Sequence, residues 1–244
     1  PLRLVGSEMC IRDRLGTDHD YGFWVGVGLL VVAPLLLLGR SGAPTAESFS
    51  VTFSDLWRFC LTLPAIAWAV ALFAAFEAMI LTLLPVYCLQ QGFTAEIALA
   101  MVSTVVVGDA LLQLPIGALA DYLPRRTLFL SCAVLLLASS LAIPLLLHTQ
   151  LIWPVWVIFG ASAGGLFTLS LILIGERYRD DALVRANAHV AQLWGIGCLI
   201  GPLVAGAGSQ WVSGHALPLL MAAGALGLVV LLLRQGAFGA AQPA

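Results

Sequence analysis

The sequence predicts an all-α integral membrane protein, and three observations carry that prediction. Of the 244 residues, 61% are hydrophobic and 10% charged, where soluble domains run about 45–50% apolar and about 25% charged. Mean hydropathy is +1.01. Apolar runs of about 17–25 residues, the length that crosses a bilayer, recur along the chain between short polar turns. A soluble fold of this size could not hide so much apolar surface, and a net charge of −2 gives no reason to expect a nucleic acid partner.

Seven spans follow in chain order: 21–38, 59–86, 95–120, 127–147, 151–174, 186–206 and 216–233. The first starts after Asp18, His19 and Asp20 and stops before Arg40. Residues 39–58, with Ser, Gly, Pro, Glu47 and Asp55, read as a linker to a compact run of six. The second span closes at a turn without arginine, 87–94, and the third at a basic turn holding Arg125 and Arg126. The fourth stops at 148–150; the fifth runs into Arg177, Arg179 and Arg185. The sixth ends in the arginine-free turn 207–215, and the seventh before Arg234.

All 11 basic residues are arginine, and past residue 14 they fall on alternate turns only. Short basic loops stay cytoplasmic, so the linker, the two basic turns and the C-terminus are expected there. Residues 1–14 match nothing downstream and are expected to be a non-native leader; with no initial methionine, a truncated reading frame is expected. The domain reading is therefore 1–14 leader, 15–58 one transmembrane helix and linker, and 59–244 a six-helix unit. Cys10, Cys60, Cys88, Cys132 and Cys198 are scattered and read as packing residues.

Small residues at contact spacing, Gly160 and Gly164 in the fifth span and Gly197, Gly201 and Ala205 in the sixth, predict close helix packing. Pro115 and Pro202 mark kink sites. Charges inside the spans are sharper signals, since a carboxylate near the bilayer centre costs at least about 2.5–3.5 kcal/mol. Glu77 and Asp109 are so placed. Asp109, Gln113, Gly117 and Asp121 recur every four residues along one side of a helix, and Arg185, His189, Gln192 and Ile196 form a similar stripe. Glu77, Asp109, Gln113, His189 and Gln192 are thus candidates for solute contact or proton transfer, with His189 as a relay; the alternative is hydrogen-bonded glue between helices.

The stretch 117–126, GALADYLPRR, resembles the loop signature of the major facilitator superfamily. Gly117, Leu119, Ala120, Asp121, Arg125 and Arg126 match it; Tyr122 and Pro124 depart from it, as in a weaker second copy. The resemblance extends to GDALLQLPIGALAD, to FEAMILTLLPVYCLQQG and to the long stretch from GASAGGLF to IGPLVAG. Together they look like a bacterial YcaD-type subfamily over residues 15–235.

That resemblance implies two six-helix bundles rocking about a mid-membrane site, with the seven spans as helices six to twelve of twelve. It implies a multi-pass protein of the bacterial inner membrane, secondary active transport of a small solute, proton coupling, and no cofactor, metal or enzymatic activity. The implied partners are the solute, protons, the bilayer and the missing N-terminal half. In the loop, Gly117 would allow close approach, Asp121 would face a helix N-terminus, and Arg125 and Arg126 would pair with Glu176, Asp180 or Asp181 to gate the cytoplasmic side. A non-transporting receptor or scaffold on the same fold stays open. Residues 160–164 also spell G-x-S-x-G, but the hydrolase elbow needs a preceding strand, which is not expected at Ser162.

Overall fold

The computed structural model describes residues 28, 32, 52–211 and 214–234, without the side chains of Gln210 and Trp211. The chain divides into two compact units, Pro1–Phe49 and Ser50–Ala244. In the first, Gly28 and Val32 are helical; the leader 1–14 and the rest of the span 21–38 lie outside the described residues. In the second, eight α-helices and no strand are described: α1 (Phe53–Thr62), α2 (Pro64–Thr82), α3 (Leu84–Gln90), α4 (Ala95–Tyr122), α5 (Arg125–Leu146), α6 (Ile152–Arg177), α7 (Asp180–Trp211) and α8 (Ala216–Arg234). Six of them, α2 and α4–α8, are long and apolar enough to cross a bilayer, which bears out the all-α membrane class.

The second predicted span is not one helix. Leu63, at φ −130° and ψ 58°, leaves helical geometry just before Pro64, because a proline ring crowds the residue before it out of the α region. A second break falls at Leu83, two residues before Pro85. Upstream, α1 occupies the end of the segment read as linker. Its start is favoured by Asp55, whose carboxylate accepts the Thr52 backbone N–H at 3.3 Å, and its Leu56 and Phe59 are buried. By contrast, α4, α5 and α7 run uninterrupted through Pro115, Pro144 and Pro202.

The α3–α4 turn uses Gly92 at φ +88°, a left-handed conformation that costs an L-residue roughly 1–2 kcal/mol. Thr94 then opens α4, its Oγ1 accepting the Ile97 N–H at 3.4 Å.

Two glycine seams hold the bundle. A Cβ on Gly160 of α6 would collide with the Val105 carbonyl of α4, and one on Gly108 of α4 would lie 2.5 Å from the Val157 carbonyl of α6. On the other side, a Cβ on Gly197 of α7 would stand 2.5 Å from Ala71 O, and one on Gly201 2.7 Å from Ala75 Cα, both on α2. Backbones this close replace the hydrophobic drive that helices lack in lipid. Trp68 Nε1 donates to Gly224 O at 2.9 Å and ties α2 to α8.

The arginine-bearing turns gather at one end of this unit. Arg125 reaches Glu176 at 2.7 Å, joining the α4–α5 and α6–α7 turns, and Arg126 reaches Leu232 near the end of α8. The opposite end has Phe93 stacked on His148 at 5.1 Å, Tyr87 Oη 2.9 Å from His215 Nδ1, and Gln91 donating to Gly214 O at 3.2 Å.

Candidate functional site

Four helices bring their midsections together around two carboxylates. Glu77 on α2 and Asp109 on α4 are both half-buried, and their charges lie within interaction range of each other. Asp109 Oδ1 accepts from Gln113 Nε2, one turn along α4, at 2.8 Å. Gly164 of α6 leaves the space that the carboxylate occupies: a Cβ there would overlap Asp109 Oδ1, fall 2.9 Å from its Cγ and lie 3.0 Å from Gln113 Nε2. From α7, Cys198 Sγ donates at 3.6 Å to the backbone O of Ala74, three residues before Glu77 on α2.

One turn from Glu77, Phe73 stacks on Phe167 at 4.9 Å and meets Trp194 edge-on at 5.5 Å. The site is therefore a carboxylate pair with an amide and a thiol beside an aromatic wall. The sequence marked Gly164 and Cys198 only as packing residues, and the aromatic wall was missed. The i, i+4 spacings of Phe73 with Glu77 and of Trp194 with Cys198 were the available signal.

His189 and Gln192 do not join this pair. His189 is buried with its ring 5.2 Å from Phe59 of α1 and its Nδ1 3.2 Å from Gln192 Oε1. It lines a cleft of ≈ 270 Å³ with Asp55, Arg58, Tyr178 and Arg185 at the arginine-bearing end. The reason is register on α7: Gly197 and Gly201 dock on α2, so His189, two turns earlier, falls beside α1. Among the described residues His189 bonds to Gln192 and not to Glu77 or Asp109, so a relay between them has no direct contact there to run through.

In the loop, the expected pairing of Arg125 with Glu176 forms, and the other expected contacts do not. Arg125 donates through Nε and Nη2 to Glu176 Oε1 at 3.0 and 2.7 Å, and its Nη2 lies 3.6 Å from Asp121 Oδ1. Arg126 takes no carboxylate in these bonds; its Nη2 donates to Leu232 O at 3.2 Å. Asp180 and Asp181 form the first turn of α7 instead, where negative charge suits the helix dipole, and neither pairs with Arg125 or Arg126 among the described residues. Asp121 gives α5 no side-chain cap: that helix begins after Pro124 without one. Gly117 is not needed for close approach either, since a Cβ there would sit 3.9 Å from Thr168 Cγ2, an ordinary contact. Ser162 is buried in mid-helix and donates to Phe159 O at 3.0 Å, which leaves no exposed nucleophile at G-x-S-x-G.

Comparison with known sequences accords with this architecture. An MFS-type transporter of Aspergillus terreus (strain NIH 2624 / FGSC A1156) is 29% identical over 99 residues, 41% of this chain and 18% of that protein. Efflux pump dotC of Dothistroma septosporum (strain NZE10 / CBS 128990) is 31% identical over 91 residues, 37% of this chain and 16% of its own length. The matched stretch thus spans less than a fifth of either relative. The sequence profile of the Major Facilitator Superfamily matches residues 92–243, from the α3–α4 turn through α8 and beyond. With well over half of its length matched and six apolar helices in an all-helical unit, this multi-pass membrane chain belongs to the major facilitator superfamily.

Proposed function

We propose that the chain forms part of a secondary active transporter for a small solute, coupled to protons through Glu77 and Asp109. The observation that carries this reading is the carboxylate pair itself, set at the middle of α2–α3 and of α4. No Arg, Lys or His occurs between Arg58 and Arg125, and only His148 between Arg126 and Arg177. No basic side chain at that depth of the described bundle balances the pair, which leaves it open to protons from water or to a cationic solute. The aromatic wall beside it suits a cation equally.

Two further features support the rest of the reading. Only 22% of the most apolar stretch of α4 and 28% of that of α7 are buried, against 44–61% for the other four spans. These two helices present the faces on which a complementary bundle, the missing first five helices of a twelve-helix transporter, would pack. The gathered arginines favour the cytoplasm for that end, and the Arg125–Glu176–Asp121 cluster there is suited to opening and closing it. The YcaD-type resemblance and a bacterial inner membrane belong to the same proposal. One relative is named an efflux pump, so export is the direction to test first.

The test uses ethidium as a cationic probe in proteoliposomes carrying an imposed pH gradient, with the chain alone and with the complementary half supplied separately. Gradient-driven ethidium movement is expected, and Glu77→Gln should abolish its dependence on the gradient while counterflow persists. Undiminished gradient dependence in E77Q would remove Glu77 from coupling. Absence of counterflow in both preparations would overturn the transport reading.

A further inference from the structure

Helix α1 carries more apolar surface than the bundle covers. At 3.6 residues per turn its residues fall on three arcs. Leu56 and Phe59 are buried, in one cluster with Ala186, Val190 and Leu193 of α7. Asp55, Arg58 and Thr62 line the polar cleft with Tyr178 and Arg185. On the third arc Phe53, Trp57 and Leu61, one turn apart, are 75%, 62% and 66% exposed, with no protein cover among the described residues.

Length decides where this arc sits. The 19 residues of α2 and seven of α3 span about 28 and 10 Å at 1.5 Å per residue, already enough for a hydrocarbon core about 30 Å thick. Nothing of α1 is needed to cross the membrane, and the break at Leu63 frees it from the direction of α2. It stands at the arginine-bearing end, continuous in sequence with a membrane span, with exposed Arg58 on the polar arc next to the stripe. A tryptophan flanked by apolar residues and an arginine is the composition favoured at the boundary of headgroups and acyl chains.

We infer that α1 is an interfacial anchor: it lies along the bilayer surface at the arginine-bearing end, with Phe53, Trp57 and Leu61 seated among the upper acyl chains and Arg58 beside lipid phosphates. The occupant of the stripe is the lipid leaflet. Because the opposite face of α1 packs on α7 through Phe59 and His189, the anchor also fixes the start of α7 relative to the membrane surface.

The experiment reads Trp57 fluorescence in phosphatidylethanolamine–phosphatidylglycerol vesicles, isolated by subtracting the spectrum of W57F. Lipids brominated near the headgroup end of their acyl chains should quench this component more than aqueous iodide does. Moving the indole along the stripe, in F53W/W57F and W57F/L61W, should preserve that preference, whereas W57F/T62W on the polar arc should reverse it. A Trp57 component quenched mainly by iodide would place the stripe in water and overturn the inference. One protected from both quenchers would place it under protein, whether a second copy or another segment of the chain, and would overturn it equally.

Discussion

Gly160→Ala adds one methyl group at the tightest seam in the bundle. Its Cβ would collide with the carbonyl oxygen of Val105 and lie 3.0 Å from both Val105 C and Asp109 N. These are backbone atoms inside α4, so no side-chain rotation relieves the overlap and the two helices must part. Overpacking a close-packed interior costs about 1–3 kcal/mol, and a backbone clash belongs at the top of that range. Gly195→Ala on α7 is the matched control: nothing lies within 4 Å of its Cβ position, and removing a helix-interior glycine gains up to about 1 kcal/mol. Thermal unfolding of the purified chain in detergent should therefore move the two variants in opposite directions, by roughly 2–4 °C for each kcal/mol. Equal midpoints for G160A and G195A would refute the claim that α4 and α6 meet backbone to backbone at this glycine.

Three other outcomes follow from single contacts. Trp68→Phe removes the indole donor to Gly224 O and should cost about 0.5–1.5 kcal/mol of unfolding free energy, read by the same assay. Glu176→Gln weakens a pair whose side chains are 27% and 47% exposed; its cost in stability should stay below about 1 kcal/mol, and a larger loss would mean that the turn is held more rigidly than its exposure indicates. Fluorophosphonate should leave Ser162 unlabelled in the folded chain, since the hydroxyl is buried and engaged by Phe159 O; labelling lost in Ser162→Ala would contradict this.

Much of the site was visible in the residues because the cost of a charge in lipid is a local property. Glu77 and Asp109 stand out from their apolar neighbours whatever surrounds them. Their partners were not visible in the same way. Cys198 and Gly164 resemble many other small residues in membrane helices, and only the approach of α6 and α7 shows that one leaves room for Asp109 while the other bonds to Ala74 of α2. His189 shared a stripe with Gln192, and that pairing is local. The stripe carried no information on which helix it would face, and it faces α1. The loop was legible only in part: Arg125 pairs with Glu176 of α6 as expected, whereas Arg126, adjacent in sequence, diverges in space toward the carbonyl of Leu232 in α8.

By itself the sequence determined the all-helical membrane class, the six spans from α2 to α8 and, of the seam glycines, Gly160, Gly197 and Gly201. Apolar length and residue size act within a single helix or at its surface, and need no knowledge of the partner. Tertiary structure alone decided which helices share those seams, that Pro64 and Pro85 interrupt a run while Pro115, Pro144 and Pro202 do not, and that the histidine of α7 sits against α1 rather than beside the mid-membrane carboxylates. Those outcomes depend on the rotation and register of one helix against another, which residues far apart in the chain set together.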